Sequence, residues 1–242
     1  LFEGTAGLGP RAQDVPDARP GRVVRALPAL VIFDMAGTTV EDRGQVPAAF
    51  ADTLAANGIA LAADDITKVR GASKREAIRR LLPAGTRDDV DRVCEEFRQN
   101  LARTYATRGV AAIAGAAEVF TELRRRKVKV ALSTGFDRDT AHLLLSTVGW
   151  TQDTVDVVVC GDDVAAGRPA PDMILLAMRL AAVSDPSQVA NVGDTTLDLE
   201  SAARAGVRWN IGVLSGAHAI EALKRAPHTH LLDSVADLLR VF

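Results

Sequence analysis

The chain has 242 residues, 48% of them hydrophobic, enough to bury a full core in one domain or in a domain with an insert. Its net charge of −2 and pI near 6.1 argue against nucleic acid or an anionic membrane as the main partner. No apolar stretch approaches the ~18 residues of a membrane span, and none follows a basic start as a signal peptide would. Cys94 and Cys160 lie far apart without metal-ligand spacing, so reduced thiols and a cytoplasmic location are expected.

Residues 1–28 mix Gly, Pro, Arg and Asp without periodicity and are expected to form a mobile tail. A first apolar, β-branched run at 30–33 ends in Asp34 and breaks into the turn Met35-Ala36-Gly37-Thr38-Thr39. From there to about residue 112 no strand signal occurs. Residues 47–57 and 74–82 have helical character. Val90, Val93, Phe97, Leu101 and Tyr105 follow helical spacing, with Thr86 and Asp89 placed to cap that helix. Further apolar runs at 128–132, 155–160, 189–192 and 209–213 are separated mostly by segments of helical period. The pattern predicts an α/β fold: a Rossmann-like parallel sheet core, residues 29–42 and 113–242, with an inserted α-helical cap over 43–112. Such an insert sits over the carboxyl ends of the strands, where functional groups gather.

Four segments fall at strand ends. Asp34 at a strand tip beside a flexible turn is suited to act as nucleophile or metal ligand. Ser133-Thr134-Gly135 offers hydroxyls for a phosphoryl oxygen, Arg168 stands on a Pro-stiffened loop, and Gly193-Asp194-Thr195-Thr196-Leu197-Asp198 brings two more carboxylates. A nucleophilic carboxylate, a hydroxyl, a fixed cation and acidic metal ligands together form the kit of phosphoryl transfer, and Mg²⁺ suits an all-oxygen site. The four histidines, Asp162-Asp163 and the run Arg124-Arg125-Arg126-Lys127 are read as ordinary surface, core or helix-end groups.

From about Ala29 to Phe242 the chain resembles the haloacid dehalogenase superfamily. Asp-Met-Ala-Gly-Thr-Thr at 34–39, Thr-Gly-Phe-Asp-Arg-Asp-Thr at 134–140 and Arg168 are similar to its phosphonatase-like branch. The resemblance implies Asp34 as nucleophile through an aspartyl-phosphate, with Mg²⁺ held by Asp34, the Ala36 carbonyl and Asp194, and Asp198 supporting the metal's water shell. It implies Thr134 and Arg168 as phosphoryl contacts, with Gly71 and Gly135 lining the substrate. It further implies a cap lysine, here Lys74, that forms a Schiff base with an aldehyde. The chain departs from the branch at Arg70, Ala77 and Phe136, where Met, His and Tyr are expected. Ser73 and Glu76 read as a capping box that starts a helix at Lys74. The helix dipole, Arg75 and Arg70 would then disfavour the ammonium form.

The expected activity is Mg²⁺-dependent hydrolysis of a small phosphonate or phosphate, with phosphonoacetaldehyde and its C–P bond the leading substrate. The alternative is a phosphatase for a small phosphomonoester of the phosphoglycolate type; a non-catalytic phosphate-binding regulator is a more distant rival. A metal-free dehalogenase is disfavoured by Asp194 and Asp198, and a phosphomutase by Ala36, which has no proton to exchange. A homodimer is compatible with the sequence.

Overall fold

The computed structural model describes residues 26–242, so the tail expected over 1–28 lies almost wholly outside the described residues. Six parallel strands form one sheet: β1 (Leu30–Asp34), β2 (Lys129–Ser133), β3 (Val157–Val159), β4 (Val189–Gly193), β5 (Trp209–Val213) and β6 (His230–Leu232). Their spatial order is β3-β2-β1-β4-β5-β6, which places β1 at the centre between β2 and β4. Every residue of β1 is buried, because both faces of the sheet are covered. The two-residue period divides it. Val31 and Phe33 join the larger core with α5 (Ala116–Arg125), while Leu30 and Ile32 join a second core with α7 (Asp172–Leu180) and α8 (Thr196–Ala205). Phe120 of α5 packs on Phe33 at 5.0 Å between ring centroids and on Trp150 at 4.9 Å.

Between β1 and α5 the chain is mainly helical: α1 (Gln45–Ala56), α2 (Ala63–Val69), α3 (Lys74–Leu81) and α4 (Val90–Arg108). In α4, Val90, Val93, Phe97, Leu101 and Tyr105 are all buried, as the spacing predicts, and Phe97 stacks on Phe50 of α1 at 4.3 Å. The two chain crossings that join this helical cap to the sheet run side by side. Glu41 N–H donates to Ala111 O at 2.9 Å, and Ile113 N–H donates to Thr39 O at 2.9 Å. We place the cap between these crossings, at residues 43–112.

Several local expectations change. Residues Ala84–Asp89 form a 3₁₀ turn, so Asp89 stands at the N-cap of α4 without a side-chain capping bond, and Thr86 donates to Pro83 O instead. At α3, Ser73 Oγ accepts from Glu76 N–H at 3.3 Å, but the Glu76 carboxylate turns outward to Arg79 and Arg80. Neither α2 nor β6 is signalled by the residue pattern.

Phe120→Ala is expected to cost about 3–5 kcal/mol, the usual range for removing a fully buried aromatic ring. A loss of unfolding free energy below about 1 kcal/mol would show that the three-ring stack is not a central part of the core.

Candidate active site

Asp34 ends β1 and pairs in register with Ser133, the last residue of β2. Both face one buried guanidinium. Arg168 Nη1 donates to Asp34 Oδ1 at 2.7 Å, Nη2 donates to Ser133 O at 2.7 Å and Oγ at 2.8 Å, and Nε meets Asp198 Oδ1 at 2.9 Å. Arg168 is thereby held in one orientation by three groups from three elements. Asp34 Oδ2 has no hydrogen-bond donor among the described residues.

Two further carboxylates follow β4. Asp194 is buried and accepts from Thr38 Oγ1 at 3.2 Å and Ala217 N–H at 2.6 Å. Asp198 has both oxygens engaged: Oδ1 by Arg168, and Oδ2 by Thr195 N–H at 3.0 Å and Thr195 Oγ1 at 2.5 Å. Thr195 and Asp198 form a capping box that fixes the start of α8. Burial is the main influence on Asp34 and Asp194. It raises Asp34 to about 6 despite Arg168, and it raises Asp194 well above the usual carboxylate range, with Asp34 and Asp198 adding repulsion. Three buried carboxylates around one buried guanidinium leave an excess of negative charge that a hard divalent cation would relieve, so the donor set fits Mg²⁺. Asp34, whose Oδ2 has no donor among the described residues, and Asp194, with one hydrogen bond on each oxygen, could ligate it. Asp198 is already committed and suits an outer position.

The cap contributes Lys74 at the start of α3. Its N–H donates to Gly135 O at 3.0 Å, and its Nζ lies 4.5 Å from the centre of the Phe136 ring. Burial lowers its pKa most, Asp34 opposes this, and Arg168 adds to it. The expected influence of Arg75 is not seen: that side chain turns to the surface and pairs with Asp91, and Arg70 pairs with Asp42. Cap and core meet backbone to backbone here. Gly71 has φ +85°, and a Cβ there would collide with Thr195; a Cβ on Gly135 would lie 2.5 Å from Ala72 O.

A small cavity of about 40 Å³, partly open to solvent, brings together Asp34, Ala36, Gly71, Lys74, Thr134, Gly135, Arg168 and Asp194. The structure thus collects at one place the residues singled out in the sequence, with Asp198 directly behind them. Thr134 Oγ1 accepts from Phe136 N–H at 3.2 Å, which leaves its hydroxyl proton free to donate. Ser133, expected to offer its hydroxyl to a phosphoryl oxygen, accepts from Arg168 and orients it; sequence reasoning missed Thr38, which donates to Asp194, and Asp42, which lines the cavity. Other groups stay apart. At the end of β3, Asp163 is bound to Arg138 and to Cys160 N–H, so the Cys160–Asp162–Asp163 group fixes its own loop. His218 was read as an ordinary surface or core group; its Nδ1 accepts from Thr196 N–H at 3.1 Å at the start of α8.

The family model for haloacid dehalogenase-like hydrolases matches residues 28–206. The chain belongs to this family. It is a hydrolase of that fold, and within the family its relatives include phosphonoacetaldehyde hydrolase of Bacillus cereus, 30% identical over 204 residues, 77% of this chain and 76% of the relative. Among solved structures, a phosphonoacetaldehyde hydrolase-like protein from Oleispira antarctica superposes with a TM-score of 0.78 at 26% identity, covering 90% of this chain and 92% of that one. A hydrolase from Pseudomonas syringae gives 0.77 at 28% identity, covering 87% and 95%.

Asp34→Asn tests the role of the β1 carboxylate in this haloacid dehalogenase-like hydrolase. The amide keeps the shape, removes repulsion from Asp194 and Asp198, and is a far poorer nucleophile. Phosphate release is expected to fall by about 10³-fold or more. The thermal midpoint should stay level or rise. Turnover within a few-fold of wild type would reject Asp34 as nucleophile.

Proposed function

We propose that the protein hydrolyses a small phosphonate carrying a carbonyl carbon β to phosphorus, with phosphonoacetaldehyde as the simplest such substrate. The observation that carries this reading is Lys74: an amine whose charged form burial disfavours, in the same cavity as Asp34, beside a position 36 that offers no acid. Without a proton donor for the leaving group, the carbon–phosphorus bond needs another electron sink. Lys74 supplies it. Its neutral amine condenses with the carbonyl and releases water to give an imine. The imine nitrogen takes a proton from solvent, Asp34 attacks phosphorus, the C–P bond breaks, and its electron pair moves into a C–C double bond as the protonated imine becomes a neutral enamine. The enamine takes a proton at carbon, water releases the aldehyde from Lys74, and a second water cleaves the aspartyl-phosphate to phosphate.

Arg168 and the Thr134 hydroxyl are placed to stabilise the equatorial phosphoryl oxygens while the charge redistributes. Mg²⁺, held by Asp34, the Ala36 carbonyl and Asp194, would neutralise charge so that an anionic carboxylate can approach an anionic phosphorus group. Identity to relatives and the Lys74 environment support this reading together. A phosphatase for a small phosphomonoester uses the same core but needs Lys74 only as a cation.

Borohydride added with phosphonoacetaldehyde is expected to trap a covalent adduct on Lys74, detectable by peptide mass. Lys74→Arg should lose nearly all turnover, because a guanidinium keeps the charge but supplies no free amine. Substantial activity in Lys74→Arg with no adduct would overturn the carbon–phosphorus reading and leave the phosphomonoester hydrolase. Phosphate release should also require added Mg²⁺ and collapse in Asp194→Ala. Full turnover after exhaustive chelation would remove the metal from the scheme.

A further inference from the structure

The outer wall of the cavity contains a cation that the reaction above does not use. Arg70 follows α2 and lines the cavity with Asp42, Val46, Phe50, Ile66 and Val69. Its one ion pair is a single 3.4 Å contact from Nη2 to Asp42 Oδ2, and its side chain is about 24% exposed. Nε and Nη1 donate to no protein group among the described residues. Other cap arginines behave differently. Arg80, Arg92 and Arg98 are more exposed and hold acids on their own helix at 2.8, 2.7 and 2.8 Å.

Asp42 Oδ1 accepts from Gly44 N–H at 3.1 Å and Val46 N–H at 3.2 Å, which fixes the carboxylate at the start of α1. It touches the guanidinium from one side only. A guanidinium has five donors in a planar fork that matches a carboxylate bidentately, so most of the Arg70 fork remains available. Apolar neighbours on the same wall keep water scarce, which strengthens any charged pair formed there.

We infer that Arg70 recognises a carboxylate at the end of the substrate remote from phosphorus. The substrate class is therefore a small phosphonocarboxylate. Combined with the Lys74 reading, on which only this last step rests, it is a phosphonate whose carbonyl carbon bears a carboxylate, a 2-oxo acid in place of the aldehyde. The carboxylate lies against Arg70, the carbonyl against Lys74 and the phosphonate against Asp34, Thr134 and Arg168. Asp42 shares the guanidinium and limits its affinity for anions when the site is empty.

The test is titration calorimetry of the full chain with Mg²⁺, using two inert ligands of equal length, 3-phosphonopropionate and propylphosphonate. The wild type should bind 3-phosphonopropionate at least tenfold more tightly. Arg70→Met should reduce that preference to about twofold or less while leaving propylphosphonate affinity unchanged. Asp42→Asn, which removes the competing charge, should widen the preference, an effect a purely structural latch would not produce. Thermal midpoints establish that each variant is folded, and Arg70→Lys, which keeps the charge without the fork, should lie between wild type and Arg70→Met. Equal or absent binding of the two ligands by the wild type would overturn the inference, as would an equal loss for both in Arg70→Met. Failure of phosphonoacetaldehyde turnover or of borohydride trapping would remove the Lys74 chemistry but would not alter this binding preference, so the two readings fail separately.

Discussion

The buried guanidinium of Arg168 is shared between Asp34, Asp198 and the end of β2, and the site is organised around it. A cation with no access to water is costly unless every donor direction is used. Here the end of β2, the central strand and the first turn of α8 each provide an acceptor. Removing any one would leave a buried charge uncompensated. In the same arrangement Asp198 is held by Arg168 and Thr195, whereas Asp34 and Asp194 are crowded and raised in pKa.

Lys74 completes this balance from the cap. Its nitrogen is anchored through the backbone, by the N–H bond to Gly135, so the side chain's position depends on how closely the cap loop meets the core. Phe136 under the ammonium favours the charged form, while burial favours the free amine. Burial dominates. An amine in this state can bind an anion or attack a carbonyl, which is why charge-preserving replacement separates the two roles.

Much of the core was legible in the sequence, because a parallel strand buried on both faces leaves an uninterrupted β-branched run and each run ended in polar residues of a recognisable kind. β6 was not: its three residues, His230–Leu232, are short and only partly buried, as suits the edge of the sheet. Nor was α2, an acidic segment whose N-cap residue, Ala62, makes no side-chain capping bond. Asp89 looked like a cap because spacing alone does not reveal the 3₁₀ turn before it. Roles set by tertiary approach were equally hidden. Ser133 contacts Arg168 across 35 positions, and Asp42 meets Arg70 across 28. Phe136 read as a departure from the family pattern, and only the three-dimensional arrangement placed its ring beneath Lys74.

The two crossings between sheet and helices also bear on how this protein can be rebuilt. Because Thr39 and Glu41 are hydrogen-bonded to Ile113 and Ala111, the helical segment leaves and re-enters the sheet at adjacent points on a short two-stranded footing. An insert whose ends lie side by side is interchangeable in a way that one spanning distant ends is not. A different helical segment spliced between Glu41 and Ala111 would keep the same anchorage above Asp34. The core groups Asp34, Thr134, Arg168 and Asp194 would stay in place, while Lys74 and the upper half of the cavity were exchanged as a cassette.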